Sequence, residues 1–342
     1  SPGEIRGFFN SRTVFSHHAK PSRITPQALL ATIGACPAAV NIVKGMCTSF
    51  RAESDPQYLL QVPVGRMLQH LINGLIYTRH LFLVREYRRN TGRLPNVAMP
   101  LSAAEKFLWR KVFDRNPLFQ MICDKLAAKK YAAQKCPDVL IPEVLWTGRS
   151  FNAVPTDLLN GPAVLKTNHA SGQVIFLHRK EADRTALEAT VVQWLSKPSG
   201  QGHGEWGYRN IDRRLFVEEF ICGQDGKPLE DFNVYVFGGT ARYTQCLRNS
   251  YGPNPTTTRY DRNGNEMEAH SRSPFVCESI NAPAQYPQII AAAERLGAGF
   301  DHMRCDFYLC DGKIYFCEMT VYPIAGFPLE AGAYGAIWRQ AW

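Results

Sequence analysis

The sequence predicts an α+β protein, helical at first and built of antiparallel strands in its second half. Three observations carry that prediction. Helix signals gather ahead of Pro142: a capping box at Ser102-Ala103-Ala104-Glu105, and apolar residues at helical spacing from Val64 to Tyr87. Hairpin signals gather in the later part, where Gly238-Gly239 and Asp311-Gly312 each separate two apolar runs. Between these zones the hydrophobic period changes from that of a helix to that of a strand.

Taken in order, residues 1–95 read as a separate, mainly helical region. Pro26 opens one helix ahead of an Ala/Leu/Ile run, and Val64 to Tyr87 forms a longer one. Two readings stand for this region, a packing or oligomer appendage and a substrate-binding element. The capping box starts a helix near Ser102 that carries Phe107, Leu108, Val112 and Phe113. A second follows Asn116-Pro117 and carries Asp124-Lys125, with Lys129 and Lys130 expected on a solvated face. Val164 to Lys166 and Val174 to Leu177 are short strands about a turn, Ala182 to Leu195 is a helix, and Leu215 to Ile221 is a strand holding Glu218 and Glu219. Strands Val234 to Phe237 and Ala241 to Leu247, a helix from Gln285 to Leu296, and a last hairpin of Met303 to Cys310 and Ile314 to Thr320 complete the reading.

Composition bounds the classes. The chain has 342 residues, 45% hydrophobic and 20% charged, enough for a sizeable core and more than one domain, and unlike disordered or collagen-like sequences. The longest apolar stretch, Ala28 to Val43, is interrupted by Pro37 and Asn41, so no membrane span is expected. No signal-peptide pattern stands at the start of the sequence, which begins on Ser1. The ten cysteines are scattered with no Cys-x-x-Cys pair, which predicts free thiols, no structural zinc and a reducing cytoplasm. Cys305, Cys310 and Cys317 read as packing residues, and His17, His18, His178 and His270 as surface residues. A net charge of +9 suits an anionic partner, but the basic residues are dispersed and show no nucleic-acid signature.

Three constellations carry chemistry. On the last hairpin, Arg304 and Asp306 share a strand face, as do Glu318 and Thr320. Carboxylates on neighbouring strands fit a hard divalent cation, or else stand exposed on an edge. The hairpin also sets a condition: a two-residue Asp311-Gly312 turn with unbroken pairing would put Asp306 and Glu318 on opposite faces, so a shared ion needs one extra residue, in the turn or as a bulge. The second is Lys166-Thr167-Asn168-His169-Ala170-Ser171-Gly172, a lysine ahead of a small-residue turn that would suit phosphate oxygens or form an ordinary hairpin. The third is Phe216-Val217-Glu218-Glu219-Phe220 with Asp231 beyond it, structural when taken alone. Trp206 and Tyr208 would stack on a sugar or support a junction; Arg242 and Arg248 are candidate anion binders, Arg248 the better.

In this order the three constellations resemble the ATP-grasp fold. The sequence is similar to the TupA-like ATP-grasp family through Asn116-Pro117-Leu118, Asp124-Lys125, Leu165-Lys166-Thr167-Asn168-His169, Glu205-Trp206-Gly207-Tyr208, Phe216-Val217-Glu218-Glu219, Asp306, Gly312-Lys313-Ile314-Tyr315-Phe316 and Glu318-Met319-Thr320, spread from Tyr87 to Phe327. The resemblance implies two α+β lobes clamping ATP, residues 96–221 with a flap and 222–342 with a metal site, behind the helical region 1–95. It implies that Lys125 and Lys166 contact phosphates, that His169, Ser171 and Gly172 belong to the flap, and that Glu218, Glu219 and Phe220 face adenine with Asp231 near the ribose. It further implies Asp306 and Glu318 as Mg²⁺ ligands and Arg304 as the catalytic arginine; Arg248, read from its strand leading to the site, is the second catalytic candidate. Ala170 and Gln173 replace glycines common in related flaps, and Asn233 stands where lysine is frequent. The activity implied is an ATP- and Mg²⁺-dependent carboxylate–amine ligase working through an acyl phosphate, on a uronic acid, glycan or amino acid and an amine, in cell-surface glycan assembly. The alternatives are an ATP-grasp kinase that phosphorylates a hydroxyl and a non-catalytic glycan- or nucleotide-binding partner of a glycosyltransferase.

Overall fold

The computed structural model describes residues 63–177, 184–197, 199–223, 229–250, 252, 254–268, 274–328 and 332–342. The helix expected after Pro26, two of the cysteines (Cys36 and Cys47) and the four histidines His17, His18, His178 and His270 lie outside the described residues.

The long helix expected from Val64 to Tyr87 is two helices, α1 (Pro63–Arg79) and α2 (Leu81–Thr91), which break at His80 where the backbone leaves helical angles at φ −124°, ψ 38°. Helix α2 stops at Gly92, whose φ of 76° is the left-handed cap that glycine adopts without a Cβ penalty. Helix α3 (Ala103–Val112) starts on the expected capping box. The Glu105 carboxylate there accepts from the backbone N–H groups of Asn96, Leu101 and Ser102, so it closes the entering loop as well as the helix end. The next expected helix also divides, into α4 (Leu118–Cys123) and α5 (Lys125–Lys135). Asp124 sits between them with an extended backbone, and its side chain accepts from Leu126 N–H at 3.0 Å to cap α5.

Two sheets follow. Strands β1 (Val144–Gly148), β2 (Ala163–Thr167), β3 (Val174–Phe176) and β4 (Leu215–Glu219) form a four-stranded antiparallel sheet in the order β1-β4-β2-β3. Its inner face packs Leu165, Leu215 and Val217 against Val191 of a helix, α7 (Arg184–Ser196), that follows the single-turn α6 (Thr156–Leu159). Strands β5 (Glu230–Phe237), β6 (Thr240–Arg248), β7 (Thr256–Asp261), β8 (Val276–Cys277), β9 (His302–Cys310) and β10 (Lys313–Thr320) form a six-stranded sheet ordered β10-β9-β5-β6-β7-β8, antiparallel except for β8. Helix α8 (Tyr286–Gly297) covers one face, where Cys305 Sγ meets the Ala293 carbonyl and Tyr286 meets the Phe232 ring. Helix α9 (Gly332–Ala341) covers one end of the other face through Trp338, which packs on Phe237 and His302.

Both expected hairpin turns occur. Gly238 and Gly239 have φ of 54° and 80°, Asp311 and Gly312 have 49° and 73°, the positive pairs of a type I′ turn. Strands β1 and β7 and helix α9 go beyond the sequence reading. Val144-Leu145-Trp146 is a continuous apolar run, and Thr256-Thr257-Thr258 offers no apolar alternation at all. The eight described cysteines are free thiols. Among the described residues, no helix is long and apolar enough to cross a membrane.

Candidate active site

The register of the β9–β10 hairpin decides which side chains meet. Cys310 pairs with Lys313 across a two-residue turn, and regular pairing continues to Phe316 opposite Phe307. Cys317 is then an extra residue: the next pair is Glu318 with Asp306, followed by Met319 with Cys305 and Thr320 with Arg304. Without this bulge Glu318 would oppose Cys305 and turn toward the face under α8. With it, Glu318 and Thr320 share the face of Arg304 and Asp306. The condition for a shared ion is met by the bulge and not by a longer turn. On β5, Asn233 pairs with Asp306 and Asp231 with Tyr308, which extends the same polar face inward from the edge. Asp306 is therefore on an interior strand and 2% exposed, not an edge carboxylate.

Charge is balanced locally. The Arg304 guanidinium donates from Nε to Asp306 Oδ1 at 2.8 Å and from Nη2 to Oδ2 at 2.5 Å, and Nη2 also reaches Glu318 Oε1 at 3.3 Å. Lys125, the first residue of α5, pairs with the other Glu318 oxygen. Burial pushes the Glu318 carboxyl up, but Lys125 and Arg304 outweigh it and hold it down at about 2. Burial raises the Asp306 carboxyl against the opposing pull of Arg304, and raises Asp231 with a further push from Asp306. One turn along α5, Lys129 pairs with Glu218 Oε2 at 2.8 Å and donates to the Pro142 carbonyl at 3.0 Å. Lys166 pairs with the other Glu218 oxygen. Helix α5 thus sends one lysine to each sheet.

Two hollows flank this line of charge. One, of about 170 Å³, lies between the sheets against Val164, Lys166, Glu219, Phe220, Ile221 and Tyr308. Phe176 and Phe220 meet edge to face at its wall, 5.8 Å between ring centres. The other, of about 400 Å³, is polar: Lys125, Arg304 and Glu318 stand on its walls together with Ser171, Glu205 and Tyr208. Burial pushes Glu205 up to about 7, against the pull of Lys111 and His203.

The candidate residues do not all converge. Lys125, Arg304, Asp306 and Glu318 form one cluster, and Lys166 joins it electrostatically, helping to lower Glu318. Asp231 lies on the same sheet face and accepts from Asn233 Nδ2 at 2.7 Å. Glu218 turns to its two lysines, and Glu219 accepts from Glu143 N–H at 2.9 Å while lining the apolar pocket. Asn168 and His169 are interior; Asn168 holds the turn by accepting from Arg214 N–H at 2.8 Å, and Ser171 and Gly172 are the exposed part. Arg248 does not join the cluster. Pairing with Glu230 puts it on the sheet face opposite to Asp231 and Asp306, where it bonds Glu230, Thr258 and Tyr260 at 2.8, 2.9 and 3.2 Å. Beyond Arg304, an arginine that shares the Asn233 face is Arg259, opposite Gln245. The solvated face expected at Lys129 and Lys130 holds for Lys130 alone: Lys129 is buried, because Glu218 stands in its path. Trp206 is buried against Phe119, while Tyr208 reaches the polar cavity. Glu205 is the site residue to which the sequence reading assigned no role; its one signal was a carboxylate inside a Glu-Trp-Gly-Tyr motif.

A divalent cation fits the donor set. Asp306 and Glu318 present hard carboxylate oxygens from adjacent strands on one face, their charges matched here by Arg304 and Lys125. Among the described residues, no group of three or more His, Cys, Asp and Glu side chains gathers for a metal. Two carboxylates suit Mg²⁺, which keeps much of its shell as water and phosphate oxygen.

Comparison with solved structures finds likeness to D-alanine–D-alanine ligase from Bacillus anthracis complexed with ATP, at 16% identity and TM-score 0.37 over 62% of this chain and 57% of that one. It also finds L-amino acid ligase from Bacillus licheniformis, at 16% identity and TM-score 0.36 over 67% and 49%. A third is the ATP-grasp ligase PsnB complexed with minimal precursor, Mg and ADP, at 14% identity and TM-score 0.34 over 69% and 60%. The chain spans about half to three-fifths of the length of these proteins. No curated protein sequence matches it. Residues 105–332, about two-thirds of the chain, match the family described as TupA-like ATPgrasp, and the chain belongs to that family.

Proposed function

We propose that this protein is an ATP- and Mg²⁺-dependent carboxylate–amine ligase that forms an amide through an acyl phosphate. One observation carries the reading: the ion-paired cluster of Lys125, Arg304, Glu318 and Asp306, with Lys166 in electrostatic reach of it, lies where an apolar pocket and a larger polar cavity flank it. Family membership supports the nucleotide and the fold. In this reading the adenine occupies the apolar pocket against Phe220 and the Glu219–Ile221 edge, with Asp231 toward the ribose. Lys166 and Lys125 meet the phosphates, and the turn at His169, Ser171 and Gly172 covers them. The carboxylate substrate lies in the polar cavity, where Arg304 takes up charge on the transferring phosphoryl group and on the acyl phosphate. Asp306 and Glu318 would hold Mg²⁺, which when bound neutralises phosphate oxygens. The two lobes are residues 96–221 and 222–342, in line with the division of the sheets between β4 and β5.

For the substrate we propose a uronic acid, glycan carboxylate or amino acid joined to an amine, in cytoplasmic steps of cell-surface glycan assembly. A chain of net charge +9 suits an acidic acceptor. The test is mass spectrometry of products formed from ATP, Mg²⁺ and pooled uronates and amino acids. A condensed product with ADP supports the ligase. A phosphorylated product formed without amine makes the protein a kinase, and no ATP turnover with any pool removes the enzyme reading.

A further inference from the structure

The polar cavity is asymmetric. Its cationic wall, Lys125 and Arg304, suits a carboxylate and a phosphoryl group, yet a ligase must also receive an amine, which arrives as an ammonium ion and cannot attack until it loses a proton. Glu205 stands on the same cavity, 9% exposed. Among the described residues, none donates a hydrogen bond to its carboxyl. A carboxyl in that state keeps its acceptor capacity for a ligand. Its place is fixed by the short helical turn at Trp206–Tyr208, and its own backbone N–H donates to the Gly200 carbonyl at 2.9 Å. Tyr208, Glu318 and Arg304 line the same cavity as Glu205, so the carboxyl and the cationic wall border one space.

We propose that Glu205 is the residue that binds the amine co-substrate and takes its proton; this rests on the ligase reading above. The ammonium N–H donates to the Glu205 carboxylate and passes it a proton, leaving a neutral amine and a neutral Glu205 carboxyl. The amine lone pair then attacks the carbonyl carbon of the acyl phosphate; the C–N bond forms, the C–O bond to phosphorus breaks, and phosphate leaves with the bonding pair. The second proton from nitrogen leaves with phosphate. The charged and titratable groups facing Glu205 are Lys111 of α3, Glu86 of α2, His203, Cys123, Tyr208 and Tyr322. Lys111 donates to the Ala325 carbonyl at 2.8 Å and His203 pairs with Glu86, so both act on the Glu205 carboxyl through charge and neither is hydrogen-bonded to it.

Hydroxylamine separates the two halves of the reaction, because it is a neutral nucleophile at neutral pH and traps an acyl phosphate as a hydroxamate with no base required. Wild-type protein and Glu205→Gln are given ATP, Mg²⁺ and pooled uronates and amino acids, with and without hydroxylamine. The expected result is that Glu205→Gln still yields hydroxamate, while condensed product at neutral pH falls by about 100-fold or more and then climbs with pH as free amine accumulates, without the levelling above neutrality that a carboxylate base gives. Glu205→Asp restores part of the condensation. The proposal is overturned if Glu205→Gln condenses amines at the wild-type rate, or if hydroxamate and condensed product fall together. If wild-type protein yields no hydroxamate, the ligase reading itself fails and the role of Glu205 falls with it.

Discussion

Asp306 and Glu205 are both buried carboxyls, and their surroundings set them apart. Asp306 is gripped by Arg304 in two-point contact, whereas Glu205 has no such partner among the described residues and is pushed up to about 7. The proposed role of Asp306 predicts that Asp306→Asn lowers ADP formation by about 100-fold or more with a mixed pool of uronates and amino acids, read by a coupled ADP assay. Glu205 predicts a stability effect with a definite sign. Its folded pKa lies above the ordinary 4.5, so folding penalises the charged form. That penalty is absent below about pH 4.5, grows as pH rises, and is complete above about pH 7. Glu205→Gln should therefore gain stability relative to wild type on going from acid to pH above 7, by about 3 kcal/mol, in urea titrations at the two ends. Equal differences at both ends would contradict the buried carboxyl.

Helix α5 illustrates what an element contributes. It is short and its lysines are spaced one turn apart, so Lys125 and Lys129 rise on one side while Lys130 turns away. Sequence alone makes Lys129 and Lys130 alike; in the fold, Lys129 neutralises Glu218 inside the protein and Lys130 meets water. Lys129→Ala should cost about 2 kcal/mol in chemical denaturation, since it removes one of the two lysines that neutralise buried Glu218, and Lys130→Ala should stay within about 0.5 kcal/mol. Equal effects would show that Lys129 is solvated in solution. The last hairpin is the companion case. Its turn and both strands were legible, because Asp311-Gly312 between apolar runs is a strong local signal. The bulge at Cys317 was not, because an extra residue is absorbed by the partner strand and leaves no local mark. Strand β7 escaped for a related reason: its threonines Thr257 and Thr258 are buried by hydrogen bonds to the Cys246 and Glu278 carbonyls, not by apolar alternation.

At the scale of the molecule, helix α5 ties the two sheets with one ion pair to each, and a nucleotide in the hollow between them would contact both. A non-hydrolysable ATP analogue with Mg²⁺, at a free concentration 100-fold above its Kd, should stabilise the protein by about 2.7 kcal/mol. Thermal or urea unfolding with and without EDTA checks this, and a stabilisation that persists unchanged in EDTA would remove Asp306 and Glu318 as metal ligands. By itself the sequence determined the α+β class, the capping box, both hairpin turns, and the order of motifs that marks the family. It did so because caps, turns and strand periodicity are set by neighbours along the chain. Only the tertiary structure decided that Arg248 faces away from Asp306, that Lys129 is buried, that Glu318 turns to meet Asp306, and that Glu205 shares a cavity with Arg304. Each of these depends on strand register or on packing between distant segments, where a shift of one residue exchanges one face of a sheet for the other.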